Sequence, residues 1–246
     1  MHIQLFLTPV PMMKTGLQGK TVVVVDVLRS STSIAAILAA GARSVIPTGE
    51  PGAAGEMYTK IGADAAVLAG EREGVKIENF QYGNSPTEFT PETVGGKNVI
   101  ICTTNGTAPF ERADRGALVL SGALVNISKL AEAVAAAGND VVIVCSGQEG
   151  GFSIEDTLCG GMLIDLLASR HGVKLELNDA ASLARLLYAD NRDKLEEAIV
   201  QGEHGRFLAS IGLGDDVVLA AQTDTLPHVG ALRDGRLVPV EETVTR

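Results

Sequence analysis

Asp26 and Arg29 stand three residues apart, and four small hydroxylated residues, Ser30, Ser31, Thr32 and Ser33, follow directly. A carboxylate, a guanidinium and a run of hydroxyls in that order suit the handling of an anion. The carboxylate can hold a cation, and the guanidinium forks onto phosphate-like oxygens. Hydroxyls that open a helix add to the free N–H groups of its first turn, which already attract negative charge.

Other polar turns carry similar material. Gly70-Glu71-Arg72 sets an acid beside a base, although a solvated pair would read the same way. Thr103-Thr104-Asn105-Gly106-Thr107 offers three hydroxyls, an amide and a residue free to adopt left-handed angles. Thr104, Asn105, Gly106 and Thr107 can therefore form a nest of N–H groups, or an ordinary turn. Asn84 and Ser85, ahead of Pro86, suit a turn and also present donors for substrate oxygens. Ser146–Gly151 is the last such turn, and Ser153 then caps a helix whose first turn holds Glu155 and Asp156. Those two acids either complement the helix dipole or face the cleft.

Asp26, Glu71 and Asp156 together form a set of hard oxygen ligands. Magnesium takes one or two carboxylates, waters and substrate phosphate oxygens, so Mg2+ is the metal this set suits. A zinc site is poorly supported, because His2, His171, His204 and His228 lack ligand spacing. His204 has the chemistry of a general acid, but its place before Gly205 near a helix start favours a surface or capping role. Of Cys102, Cys145 and Cys159, only Cys145 adjoins a Gly-rich turn that would suit a nucleophile.

The elements that must position these residues follow from the hydropathy pattern. Val22–Val25 is four consecutive β-branched residues, which predicts a strand covered on both faces, with Asp26 at its carboxyl end. Further strands are expected at 2–7, 44–47, 65–69, 97–102, 117–121 and 140–145. Helices are expected at 32–40, 51–61, 108–113, 126–137, 153–170, 178–188, 192–200 and 203–211. Residues 215–221 suit either helix or strand. Asp234-Gly235 between two apolar runs, 229–232 and 236–240, predicts a hairpin. Strands alternating with helices indicate an α/β fold, a three-layer α/β/α sandwich with a mainly parallel central sheet. It is expected as one domain over 1–246, with helical additions near 178–214 as a lobe on it. In such a sheet the polar turns share one edge, where ligands bind.

Composition narrows the partners. The chain has 246 residues, is 46% hydrophobic and 4% aromatic, and carries a net charge of −10. That acidic balance and the scarcity of aromatic platforms argue against a nucleic-acid surface. No apolar run is long enough for a membrane span. Three cysteines without CxxC spacing and an N-terminus unlike a signal peptide point to a cytoplasmic protein with reduced thiols. A small anionic substrate is the expected partner. Loops on one edge can also be completed by a second subunit, which leaves a homo-oligomer open.

Five segments, D-V-L-R-S-S-T at 26–32, G-E-R at 70–72, G-N-S-P at 83–86, T-T-N-G-T at 103–107 and E-D-x-x-C-G-G at 155–161, resemble in order the 2-phosphosulfolactate phosphatases. His204-Gly205, Asp215-Asp216, Asp224 and Pro227 are similar to that family's C-terminal pattern. The resemblance implies magnesium-dependent hydrolysis of 2-phosphosulfolactate, or of a related phosphorylated hydroxy acid, as in coenzyme M biosynthesis. It implies an α/β/α fold unlike the usual phosphatase folds. On this view Asp26, Arg29 and Arg72 are catalytic. Ser30, Ser31, Thr32, Asn84, Ser85 and residues 104–107 bind substrate, and Asp26, Glu71 and Asp156 hold the metal. Position 28 is Leu, so Asp26 has no acid two residues on; water is favoured over Asp26 as nucleophile. A non-catalytic binder of anionic metabolites and a hydrolase using Cys145 are the alternatives.

Overall fold

The computed structural model describes residues 1–11, 16–104, 108–113 and 115–240. Asn105, Gly106 and Thr107 lie outside the described residues. β1 (His2–Phe6) and β2 (Thr21–Val25) lead through a short turn to α1 (Ser30–Ala39). β3 (Ser44–Thr48), α2 (Pro51–Ile61), β4 (Ala66–Arg72) and the two-residue β5 (Val75–Lys76) follow. After a 3-10 turn at Pro86–Glu88 come α3 (Pro91–Val94), β6 (Asn98–Cys102), α4 (Ala108–Ala113), β7 (Leu118–Gly122), α5 (Ile127–Ala137) and β8 (Val141–Cys145). The last third holds α6 (Ile154–Ser169), β9 (Glu176–Leu177), α7 (Asp179–Asn191), α8 (Leu195–Val200), α9 (Glu203–Ser210), α10 (Gly214–Ala221), β10 (Gly230–Arg233) and β11 (Arg236–Pro239).

The architecture is α/β, with a large, mostly parallel sheet between helical layers. Its strand order is β5-β4-β6-β3-β11-β10-β7-β2-β8-β1-β9. Two parallel blocks, β4-β6-β3 and β7-β2-β8-β1-β9, are joined by the antiparallel hairpin β10–β11. The hairpin meets each block through one pair, Ala231 with Leu120 and Leu237 with Val45.

β2 lies deep in the second block, and its valines serve both faces as the period of two requires. Val23 and Val25 join the core under α5, α6 and α7, which includes Ile143, Leu158, Leu163 and Ala184. Val22 and Val24 join the opposite core with Ile34, Ile37 and Leu38 of α1. A third cluster, Ile46, Ala54, Leu68 and Ile100, seats α2. Ala181, Ala184, Ile199, Leu208 and Val217, from α7 to α10, belong to the first of these cores. Residues 215–221, ambiguous from pattern alone, are helical as part of α10. Among the described residues no helix is long and apolar enough to cross a membrane.

Two details position the site. β4 runs on to Arg72 instead of stopping near residue 69, and α1 begins at Ser30 instead of Thr32. The carboxyl ends of β2 and β6 come together, since Ser30 Oγ donates to Thr103 Oγ1 at 3.2 Å.

Candidate active site

A cavity of about 340 Å³ opens where these strand ends meet. Asp26, Leu28, Arg29 and Ser30 line it from the β2–α1 turn, and Glu71, Glu73 and Gly74 from the end of β4. Asn84, Thr104, Gln148 and Glu149 add three further turns, while His204, Phe207 and Leu208 come from α9.

Asp26 is held at the base of the turn. Ser30 N–H donates to its Oδ1 at 3.1 Å, and Ser31 N–H donates to its carbonyl at 2.8 Å. Burial pushes the Asp26 carboxyl up to about 6; the Ser30 N–H and the nearby His204 oppose the rise, while Glu71 and Glu155 add to it. Glu71 is fixed by three donors. Thr104 N–H reaches Oε1 at 2.8 Å, Gly74 N–H reaches Oε2 at 2.8 Å, and the Thr104 hydroxyl lies 3.4 Å from Oε2. Asn84 is buried beside them, and its Oδ1 has no hydrogen-bond partner among the described residues.

Arg29 lines the cavity but is already engaged. Its Nη1 donates to Asp216 Oδ2 at 2.7 Å, with both side chains under 5% exposed, and its Nη2 donates to the Gly74 carbonyl at 3.2 Å. Asp216 sits in the first turn of α10 and also accepts from Ser85 Oγ at 2.6 Å. The C-terminal acid thus joins the β2–α1 turn to the loop before Pro86.

Several expected site residues are placed elsewhere. Arg72 does not line the cavity; its guanidinium donates to the carbonyls of Glu71 and Gly49 and to Cys102 Sγ. The reason is the length of β4. With residues 71 and 72 both in the strand, their side chains leave on opposite faces, so only Glu71 reaches the cavity. Ser31 Oγ accepts from Asp26 N–H and donates to the Val24 carbonyl, and Thr32 Oγ1 donates to the Val27 carbonyl. They lock the turn, and of the three expected hydroxyls only Ser30 lines the cavity. Ser85 is bound to Asp216 and does not line it.

Asp156 is also off the cavity. Its Oδ1 accepts from Val27 N–H at 2.8 Å and its Oδ2 from Gly147 N–H at 3.0 Å, so it ties the start of α6 to the ends of β2 and β8. Burial, with Asp26 and Glu155 close by, pushes its carboxyl well above the ordinary range against the pull of those two N–H groups. Among the described residues no group of three or more His, Cys, Asp and Glu is arranged to hold a metal ion. Cys145 is fully buried in the core under α6, and burial pushes its thiol well up, the opposite of an activated nucleophile.

A family model described as 2-phosphosulpholactate phosphatase matches residues 6–235. A probable 2-phosphosulfolactate phosphatase of Caldanaerobacter subterraneus subsp. tengcongensis is 36% identical over 219 residues, 89% of this chain and 90% of the relative. The probable 2-phosphosulfolactate phosphatase of Clostridium acetobutylicum is 34% identical over 238 residues, 97% and 100% of the two chains. That of Carboxydothermus hydrogenoformans is 37% identical over 223 residues, 90% of each. The chain belongs to the 2-phosphosulfolactate phosphatase family.

Membership places this phosphatase-family chain among the phosphoric monoester hydrolases and makes its motifs readable. Asp224 takes Ser128 N–H and Oγ at 2.8 and 2.6 Å and caps α5. Gly161 lets α6 and α7 touch, since a Cβ there would lie 2.1 Å from the Ala184 carbonyl oxygen. Gly205 does the same for α9 against α8, where a Cβ would meet the Ile199 carbonyl at 2.2 Å. That contact seats His204 at the cavity. Its Nδ1 lies 3.3 Å from Oε1 of the buried Glu155, and its ring stacks on Phe207. The expected surface or capping role for His204 is therefore corrected. The missed signal is the Gly after it, which marks a close packing contact and not a free helix start.

Proposed function

We propose that the cavity hydrolyses a small phosphorylated hydroxy acid, with 2-phosphosulfolactate as the first candidate and Mg2+ as cofactor. The observation that carries this reading is the charge of the cavity. Asp26, Glu71, Glu73 and Glu149 line it, and Arg29 is already paired with Asp216. Four carboxylates repel a polyanion, and a cation placed between them offsets that repulsion. The donors present suit magnesium: Asp26 and Glu71 supply hard oxygens, and the unpartnered Oδ1 of Asn84 adds a neutral one. Mg2+ bound there would neutralise phosphoryl charge and orient the ester.

The chain's own groups do the rest. Ser30 and Thr104 line the cavity with hydroxyls that would turn from Thr103 and Glu71 to meet phosphoryl or carboxylate oxygens, and Arg29 lines it beside them. Asp216 and Ser85 hold that guanidinium in place. The buried strand ends keep Asp26 and Glu71 from shifting toward solvent. Water is the attacking group. The sulfonated alcohol released is the product that coenzyme M synthesis takes forward where that pathway exists, and a cytoplasmic location suits both.

The test is phosphate release by the purified chain from 2-phosphosulfolactate and a panel of phosphorylated hydroxy acids, with Mg2+ or with chelator. Release is expected only with Mg2+, fastest on the sulfonated ester. Unchanged release in chelator refutes the metal assignment, and no release from any ester refutes the phosphatase reading.

A further inference from the structure

The ester bond poses a demand that the groups described so far leave unmet. Cleavage of an alkyl phosphate expels an alkoxide, a poor leaving group unless an acid protonates it as the P–O bond breaks. Asp26 and Glu71 are given to the cation in the phosphatase reading, the other cavity carboxylates accept protons when ionised, the hydroxyls of Ser30 and Thr104 are weak acids, and Arg29 does not release its proton. Among the described residues lining the cavity, His204 carries the imidazole, whose ring nitrogens can donate or accept a proton.

We infer that His204 is the general acid of the reaction and that Glu155 is its positioning residue. The inference rests on the phosphatase reading above and extends it to a residue on a distant helix. Glu155, in the first turn of α6, is 2% exposed, and its Oε1 holds His204 Nδ1 at 3.3 Å. A carboxylate can only accept, so it fixes Nδ1 as the protonated nitrogen toward itself and leaves Nε2 to trade a proton with the cavity. Phe207 stacks on the ring at a centroid distance of 6.3 Å, and the packing of Gly205 on α8 holds the helix that carries it. Asp26 and His204 both line the cavity, and a positive His204 favours the ionised form of Asp26. Glu149 lines the cavity with His204, and Glu149 and Glu203 line a neighbouring pocket with it.

The oxygen of water bonds to phosphorus while the phosphorus–ester oxygen bond breaks, its electron pair staying on the ester oxygen. That oxygen takes the proton from His204 Nε2 and leaves as the alcohol. The water keeps one proton as hydrogen phosphate forms and gives the other to solvent, from which His204 is recharged.

The experiment compares an alkyl phosphate with p-nitrophenyl phosphate, whose leaving group departs without protonation. In His204→Asn, kcat on the alkyl ester is expected to fall about 100-fold or more. The loss on p-nitrophenyl phosphate is expected to be at least tenfold smaller, and the dependence of kcat on leaving-group pKa steeper than in the parent. Glu155→Gln should move the same dependence in the same direction, with KM within about twofold. Equal losses on both esters would overturn the inference, assigning His204 to binding and leaving the phosphatase reading intact. Should His204→Asn not fold, by circular dichroism, His204→Gln is measured in its place and Glu155→Gln decides independently. A parent chain that hydrolyses neither ester overturns the phosphatase reading and this inference with it.

Discussion

At the scale of single residues, Asp26 shows how a site is built against stability. Its carboxyl is buried, and its folded-state value of about 6 stands above the ordinary 3.8. The folded protein therefore binds a proton that the unfolded chain releases as pH rises from about 4 to 6, and stability falls over that window. Above it the ionised group costs roughly 2–3 kcal/mol. Asp26→Asn removes that cost, keeps an acceptor for the Ser30 N–H and removes the charge that the proposed Mg2+ would need. In chelator, thermal melts should show the variant more stable than the parent at pH 8, with the gain vanishing near pH 4. Phosphate release should drop by ~100-fold or more. A variant no more stable at pH 8, or one that keeps parental activity, would refute this account of Asp26. The same residue was legible from its place after four valines, because a carboxylate at the end of a doubly buried strand has few structural reasons to be there. Arg72 misled for an equally physical reason. One residue more or less of strand decides which face a side chain takes, and Gly70 does not announce that β4 continues through it.

At the scale of elements, the strand–turn–helix pattern could be read in advance, because β-branched runs and small capping residues each favour one local structure. The partner of each cap could not. Ser153 accepts Asp156 N–H at 3.3 Å as a helix cap should, but the Asp156 carboxylate turns away to Val27 and Gly147. Its choice depends on β2 and β8 lying side by side, which no local spacing encodes. Asp156 is thus a strut between three elements. Asp156→Ala leaves two buried N–H groups without an acceptor, at about 1–3 kcal/mol each, partly offset by relief of its charge on Asp26. Urea melts should show a net loss of about 2–4 kcal/mol. Activity should fall through kcat while the Mg2+ concentration for half-maximal rate changes less than about twofold. A tenfold rise in that concentration would make Asp156 a ligand after all. Glu155, its neighbour, meets His204 instead, so two adjacent acids on one helix serve different partners.

At the scale of the whole molecule, the hairpin β10–β11 was expected from Asp234-Gly235, but its place was not. Turn chemistry reports that two strands pair, not which strands accept them. Here the last strands of the chain lie between β3 and β7, and among the described residues no other strand joins the two parallel blocks. Leu237 and Ala231 are fully buried in that joint. The consequence is a dependence of the front of the chain on its end. Residues 1–228 contain Asp26, Glu71, Asn84, His204 and both parallel blocks, yet the facing edges of β3 and β7 would be left unpaired. Pairing over so long a sequence separation also comes late, because the closure entropy is met before the contact forms. A chain ending at His228 should therefore retain helical signal but lose its cooperative melt. It should self-associate through the exposed edges and release no phosphate. Circular dichroism and light scattering check the first two outcomes, and the ester assay checks the third. A monomeric fragment melting within a few degrees of the parent would show that helices alone hold the blocks together. In that case the convergence of Asp26, Glu71 and His204 owes nothing to the hairpin. If the melt is lost, the chemistry of a strand end near residue 26 is completed only when residues 230–239 have taken their place.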